Sequence, residues 1–311
     1  MTATRSARAF TLVELLVSTA VLSLLLLMLA QISSMLGNTW SSGNGRAERR
    51  QSGRALVDFI AQELRAAALP IDRTPGIMNP DLQFVVNPSS VPAGFRQPSA
   101  IFWQAPIASD TERGDMAVLG YFVKWTAASG SKPPRADLCR IAISPGAANH
   151  KIYDELTTWV TGAILQAEAP ADETSGYKGL FAENVIGFWV RCLDQQGKVI
   201  EQAGVSTGGF DSRTEYIGQI RDVNGAWIPS NFTAPVLPDS VDISLVLLDS
   251  RAADQMTADL ASAMQSAAQN TSNAAQPASE FIQIMQSNPA MKRLLPGLSA
   301  HSLRVYLENA P

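Results

Sequence analysis

The chain has 311 residues, of which 46% are hydrophobic and 17% charged, and its formal net charge is -4. It is too apolar to be a disordered chain. The acidic balance leaves no basic surplus to neutralise phosphates, which argues against a nucleic-acid-binding protein. Two cysteines and two histidines are too few for a zinc cluster built from Cys and His, for an iron–sulfur cluster or for a disulfide-dense small fold. The length fits about two units of ~150 residues.

A long apolar segment lies near the N-terminus. No Asp, Glu, Lys or Arg occurs between Leu15 and Gly45, and residues 15–36 carry only Ser, Thr and Gln as polar residues. As a helix, residues 15–36 would span about 33 Å, enough to cross a hydrocarbon core about 30 Å thick. We therefore predict a single transmembrane helix at residues 10–36. Arg5 and Arg8 precede it, which predicts a cytoplasmic N-terminus and a body across the membrane.

Three interpretations of this N-terminus compete. It is a secretory signal peptide cleaved near Leu29-Ala30-Gln31, an uncleaved signal anchor, or a segment in which Glu14 has a function. A carboxylate costs about 2.5–3.5 kcal/mol at the centre of a membrane helix, and less near its end. Neither of the first two interpretations explains why an acid directly precedes Leu15.

The residues around Glu14 resemble a known processing signal. The stretch Ala9–Ser18, Ala-Phe-Thr-Leu-Val-Glu-Leu-Leu-Val-Ser, is similar to the cleavage and methylation signature of type IV pilin-like proteins. The resemblance implies that residues 1–9 are a leader, that a prepilin peptidase cuts between Ala9 and Phe10, and that the new amine of Phe10 is methylated. Glu14 then becomes the fifth residue of the mature chain.

The charge pattern gives this signal a physical role. Cutting before Phe10 creates a cationic amine at the membrane edge, and burying that amine or Glu14 alone is costly. If subunits stack with a stagger, Glu14 of one subunit meets the Phe10 amine of the next. The expected partners are other pilin-like subunits in a hetero-oligomer, the prepilin peptidase and inner-membrane lipid, with no nucleic acid. The expected location is the bacterial inner membrane, with the C-terminal domain in the periplasm.

The chain after the apolar segment predicts an α+β, pilin-like body. Residues 37–69 extend the N-terminal helix, because Leu56, Phe59, Ile60 and Leu64 recur at helical spacing. Three glycines in residues 37–45 leave open a break, a kink or a continuous helix. A mainly antiparallel β domain fills residues 70–311, with a helical insertion at about 251–299. Strands are predicted near Leu82–Val86, Ala100–Gln104, Met116–Trp125, Leu138–Ile143, Val185–Leu193, Tyr216–Ile220, Val241–Leu248 and Ser302–Leu307.

Parts of the body resemble a narrower group. Residues 55–65, 184–191 and 237–243 are similar to the helix and strands of J-type minor pseudopilins of type II secretion, although the insertion departs from that pattern. This resemblance implies a non-enzymatic subunit that co-assembles, through its N-terminal helix, into a type II secretion pseudopilus or a type IV pilus. No cofactor is expected for such a subunit.

Other chemistry competes with this interpretation. Gly204-Val205-Ser206-Thr207-Gly208 matches the nucleophile elbow, and His301 follows in hydrolase order, so the alternative is a membrane-anchored or secreted serine hydrolase using Ser206 and His301. The elbow, however, requires a helix after it, and the sequence there favours a loop.

Two further site hypotheses concern oxygen ligands and thiols. Asp211, Asp222 and Asn224 match no EF-hand spacing, so no metal site is predicted. Cys139 and Cys192 lie in predicted strands of a domain expected in an oxidising compartment, which favours a disulfide between them. Two buried free thiols are the alternative.

Overall fold

The computed structural model describes residues 12–68, 82–107, 114–152, 158–170 and 178–307. The chain divides into two compact units, Met1–Arg49 and Arg50–Pro311. Helix α1 covers Leu12–Arg65 and runs unbroken through the glycines at residues 37–45. The other helices are α2 (Gly162–Glu168), α3 (Ser250–Ala253), α4 (Ala258–Asn270), α5 (Pro277–Ser287) and α6 (Pro289–Lys292).

Eleven strands form three antiparallel sheets in the described residues. They are β1 (Val85–Val86), β2 (Ala100–Ala105), β3 (Ala117–Thr126), β4 (Arg135–Ile143), β5 (Leu180–Ala182), β6 (Val185–Leu193), β7 (Phe210–Asp211), β8 (Tyr216–Arg221), β9 (Trp227–Phe232), β10 (Ser240–Leu248) and β11 (Leu298–Tyr306). The largest sheet has the order β5-β4-β3-β2-β1-β7, the second β11-β10-β6, and β8 and β9 form a hairpin.

The main core lies where the last turns of α1 meet the strands. Val57, Ile60 and Leu64 of α1 are buried in one cluster with residues of the six-stranded and three-stranded sheets, because α1 presents an apolar stripe at helical spacing. A smaller cluster includes Phe102 and Phe122 of the six-stranded sheet.

The helical insertion covers one face of the three-stranded sheet. The indole Nε1 of Trp189 in β6 donates to the carbonyl of Ala268 in α4 at 3.0 Å, and its ring lies 5.6 Å from that of Phe281 in α5. Cross-strand partners share a face of an antiparallel sheet. Trp189, Ser244 and Ser302 therefore belong to this face, while Phe188, Leu245 and His301 belong to the other.

The mixed fold of helices and antiparallel strands is confirmed, and each of the eight predicted strands overlaps an observed one. The predicted helix extension ends at Arg65, and Leu69 and Pro70 lie outside the described residues. The helical insertion predicted at about 251–299 contains α3 to α6. Within the insertion, α4 ends at Asn270 and α5 begins at Pro277. Proline at the first helical position favours that start.

Candidate assembly site

The first described part of α1 exposes an unusually apolar surface. Ten large apolar side chains between Leu16 and Leu29 are each 51–65% exposed within the chain. The hydroxyls of Thr19 and Ser23 donate to the carbonyls of Leu16 and Thr19 at 3.0 and 2.8 Å, so these polar groups are satisfied within the helix. Exposed apolar surface of this extent is typical of a segment that binds an apolar partner.

The residues of the predicted processing site lie at the start of this segment. Ala9, Phe10 and the leader at residues 1–9 lie outside the described residues. Glu14 lies in the helical backbone of α1, and its side chain is not among those described. Judged by length and hydropathy, no helix in the part of the chain that the structure describes qualifies as a membrane span.

The other end of α1 is held by a buried ionic cluster. Glu63 is 9% exposed, and its carboxylate accepts hydrogen bonds from Tyr121 in β3 and from Arg140 in β4. Arg140 binds both carboxylate oxygens, with Nε 3.0 Å from Oε2 and Nη2 in contact with Oε1. This bidentate geometry is the strongest form of a carboxylate–arginine pair. The cluster therefore ties α1 to two adjacent strands of the six-stranded sheet.

The environment shifts the titration of both partners of Glu63. Burial raises the pKa of Tyr121 far above its ordinary value, and its hydrogen bond to Glu63 raises it further. The hydrogen bond to Glu63 also raises the pKa of Arg140. Tyr121 therefore stays protonated and Arg140 charged. The guanidinium of Arg140 additionally lies 5.7 Å from the ring centre of Phe59, within the range of a cation–π contact.

Sequence reasoning missed this cluster, although one signal was present. Glu63 lies three residues after Ile60 and directly before Leu64, so an acid interrupts the buried stripe of an amphipathic helix. A buried acid requires a partner. Tyr121 and Arg140, however, lie 58 and 77 residues further along the chain, where no local pattern marks them.

A close contact between α1 and β11 adds a second constraint. A Cβ atom placed on Gly53 would lie 2.2 Å from Nε2 of His301. Only a residue without a side chain allows the imidazole to approach the helix backbone this closely. His301 therefore packs against α1, rather than facing the loop that carries Ser206.

The backbone around Ser206 does not have the arrangement of a hydrolase nucleophile elbow. Its hydroxyl donates to the carbonyl of Asn87 at 3.2 Å, and residues 201–209 form an irregular loop that leads into β7. Gly204 and Gly208 have φ of 80° and 72°, values that favour glycine in such a loop. A nucleophile elbow places the serine between a strand and a helix. The alternative of a serine hydrolase that uses Ser206 and His301 therefore has no support in the structure.

The predicted disulfide does not form, because Cys139 and Cys192 are free and buried in different places. Cys139 in β4 belongs to the smaller hydrophobic cluster, whereas Cys192 in β6 belongs to the main cluster. Burial raises the pKa of the Cys139 thiol to about 12 and that of Cys192 well above its ordinary value. Both thiols are therefore protonated core side chains.

The acids considered as oxygen ligands act within turns. Oδ1 of Asp211 accepts from Gln83 Nε2 at 2.7 Å and from the backbone N–H of Arg213 at 2.9 Å. Oδ1 of Asp222 accepts from the N–H groups of Asn224 and Ala226 at 2.9 and 2.7 Å. Among the described residues, no group of three or more His, Cys, Asp or Glu is arranged to hold a metal ion.

Residues 4–30 match the family model of the prokaryotic N-terminal methylation motif. No curated protein and no solved structure matches the chain. The chain therefore carries the prepilin-type motif of type IV pilin-like proteins, which confirms the resemblance of Ala9–Ser18. The match ends at residue 30, so the resemblance of the body to J-type minor pseudopilins stays a prediction.

Proposed function

We propose that this chain, as the carrier of a prepilin-type methylation motif, is a minor pilin-like subunit that co-assembles with other pilin-like subunits through its N-terminal helix. The observation that carries this proposal is the position of the motif. Residues 4–30 overlap the part of α1 whose large apolar side chains are more than half exposed. The processing signal and the surface that needs an apolar partner are therefore the same segment.

The apolar segment has two successive environments in this proposal. Before assembly it anchors the chain in the bacterial inner membrane, with the leader in the cytoplasm and residues 70–311 in the periplasm. During assembly it exchanges lipid for the helices of neighbouring subunits. Thr19 and Ser23 are compatible with both environments, because each hydroxyl is already bonded to a carbonyl of the helix.

Glu14 sets the register of the assembly. Cleavage before Phe10 leaves a cationic amine, and a neighbouring Glu14 carboxylate neutralises it when helices stack with a stagger. Losing one member of a buried ion pair costs about 3–5 kcal/mol, because the other charge is left without a partner. A subunit that lacks the carboxylate would therefore insert normally but assemble poorly.

The Glu63 cluster gives the body a mechanical role. A subunit that moves by its N-terminal helix must transmit the displacement to its body. Glu63 connects α1 to two strands through Tyr121 and Arg140, and Gly53 lets His301 pack closely against the same helix. The role of the body is structural rather than catalytic. The resemblance of residues 184–191 to J-type subunits favours a type II secretion pseudopilus over a type IV pilus.

Replacement of Glu14 with Leu tests this function. In its own host, the variant should be as abundant as the parent, located in the membrane and cut at Phe10, because removing a charge favours insertion. Crosslinking and co-purification with other pilin-like subunits should be lost. Glu14→Gln should have a smaller effect, because it keeps a hydrogen-bond acceptor. Gln31→Leu is the matched control, since it removes a polar but uncharged group from the same helix.

Two results would contradict the proposal. Co-assembly of the Glu14→Leu variant at the level of the parent would show that the carboxylate has no role in register. Equal losses in Glu14→Leu and Gln31→Leu would show that any change of polarity in the helix disturbs assembly, with no specific ion pair.

A further inference from the structure

Within the described residues, β11 has an outer edge to which no strand is paired. β11 is the end strand of the three-stranded sheet, so none of the described strands pairs with its outer edge. It has nine residues and pairs with β10 in an unbroken register from Leu298 to Tyr306. Its sequence contains no Pro, Gly or Lys. A long, regular edge strand of this kind is a template for pairing with another chain.

The other edges of the described sheets are protected. The six-stranded sheet ends in β5 and β7, which have only three and two residues. In the hairpin, β9 contains Pro229, and Gln219 of β8 donates its N–H to Oδ2 of Asp194 at 3.0 Å. On the free side of β6, the carbonyl of Phe188 accepts from the N–H of Ser99 at 3.2 Å. β11 alone among the described edges is both long and regular.

A positively charged row of side chains reaches this edge. Arg191, Asp242 and Arg304 are opposite each other on β6, β10 and β11. Arg191 Nη2 lies 2.9 Å from Oδ2 of Asp242, and Arg304 Nε lies 2.7 Å from Oδ1. The two guanidinium groups share one carboxylate, so the row keeps one net positive charge. Its outermost member, Arg304, is 42% exposed.

A cleft beside the row has room for a further side chain. It has a volume of about 470 Å³ and is lined by Ser302 and Arg304 of β11 and by Gln276 and Ser279 at the start of α5. The side chain of Gln276, the N-cap residue of this 11-residue helix, accepts no hydrogen bond from the N–H groups of the first turn. The N-terminal end of a helix favours negative charge. Glu280, the acid of this first turn, lines a neighbouring cavity instead.

We propose that β11 accepts an additional strand from a different pilin-like subunit, and that an acidic side chain of that strand enters the cleft beside Arg304. Strand addition supplies backbone hydrogen bonds, and the pocket beside the edge supplies specificity. A second copy of β11 would not satisfy the site, because Leu298–Tyr306 contains no Asp or Glu. The proposal extends the proposed function, since it names a second contact surface between subunits.

Photo-crosslinking of the full chain in membranes of its own host tests this contact. Benzoylphenylalanine replaces Tyr306, an exposed aromatic residue of β11, and in a control chain it replaces the exposed Val223 at the tip of the hairpin. The position of Tyr306 should give an adduct with a partner that carries the methylation motif. The linked peptide should contain Asp or Glu. The position of Val223 should not give this adduct.

A lysine placed on the edge gives the matched perturbation. Ala300→Lys places a charge on an exposed position of β11, and charged side chains protect edges from pairing. The adduct at position 306 should be lost. Ile217→Lys, on an exposed position of β8, should leave the adduct unchanged. Arg304→Gln should reduce the adduct without abolishing it, because the edge stays open while the positive charge is removed.

The same experiments distinguish a failure of strand addition at β11 from a failure of the proposed function. Strand addition is wrong if position 306 gives no adduct, if the adduct contains a second copy of this chain, or if Ala300→Lys leaves its yield unchanged. Processing at Phe10 and co-purification with pilin-like subunits are measured on the same membranes. If these two persist while the adduct is absent, only strand addition fails and the proposed function stands.

Discussion

Replacing Glu63 with Gln removes the charge that Arg140 and Tyr121 share while keeping the length of the side chain. In the parent, the Glu63 side chain is 10% exposed and that of Arg140 is 25% exposed. Breaking a buried ion pair by removing one partner costs about 3–5 kcal/mol. Because a quarter of Arg140 already contacts solvent, its guanidinium regains some hydration, and we expect a loss of about 3 kcal/mol.

Thermal unfolding of the full chain in detergent, followed by tryptophan fluorescence, measures this loss. A loss of about 3 kcal/mol lowers the Tm by roughly 6–12 °C in a unit of this size. Asp58→Asn is the matched control on the same helix, because Asp58 pairs with Arg54 at 3.9 Å with both side chains well exposed. Such a surface pair contributes little, so its Tm should change by less than about 2 °C. Equal shifts in the two variants would refute the role of the Glu63 cluster in fixing α1 to the sheet.

Three further predictions concern other parts of the body. Gly53→Ala should destabilise the chain by about 1–3 kcal/mol in urea unfolding, because the new methyl group collides with His301, and the loss should disappear in a His301→Ala background. Cys139 and Cys192 should resist iodoacetamide in the native chain, and both should be labelled after denaturation without reductant; fewer than two labelled thiols would contradict the free pair. Burial raises the pKa of Asp137 from 3.8, so the folded state binds its proton more tightly and stability should fall as the pH rises through that raised pKa. In the Asp137→Asn variant, the urea midpoint should no longer fall over this pH range. The same pH dependence in the variant and the parent would contradict this role of Asp137.

The sequence predicted the strands whose signals are local. β6 and β10 are runs of apolar residues bounded by turn residues, and both were found within one residue of their observed ends. β9 was missed because Trp227–Phe232 contains Pro and Asn, which are depleted in strands. It forms because the turn at Asp222 returns the chain alongside β8. The two-residue β7 has no periodicity from which to predict it.

The candidate site likewise has one part with a local sequence signal and other parts that depend on the tertiary structure. The methylation motif is contiguous, so a few adjacent residues were enough to predict it. The partners of Glu63 and the separation of the two cysteines depend on which strands become neighbours and which face each side chain takes. Cys139 and Cys192 both lie in strands, as predicted, but in different sheets and different hydrophobic clusters. A strand pattern in the sequence does not contain that information.

The mass of the mature chain, isolated from its own host, shows whether the prepilin-type motif is processed. We expect a chain that begins at Phe10 and carries a methyl group on its amine. Fragmentation of the N-terminal peptide places that methyl group on Phe10 rather than on a side chain. A chain that still begins at Met1, or one that begins near Gln31 after ordinary signal-peptide cleavage, would contradict the assignment of a pilin-like assembly subunit.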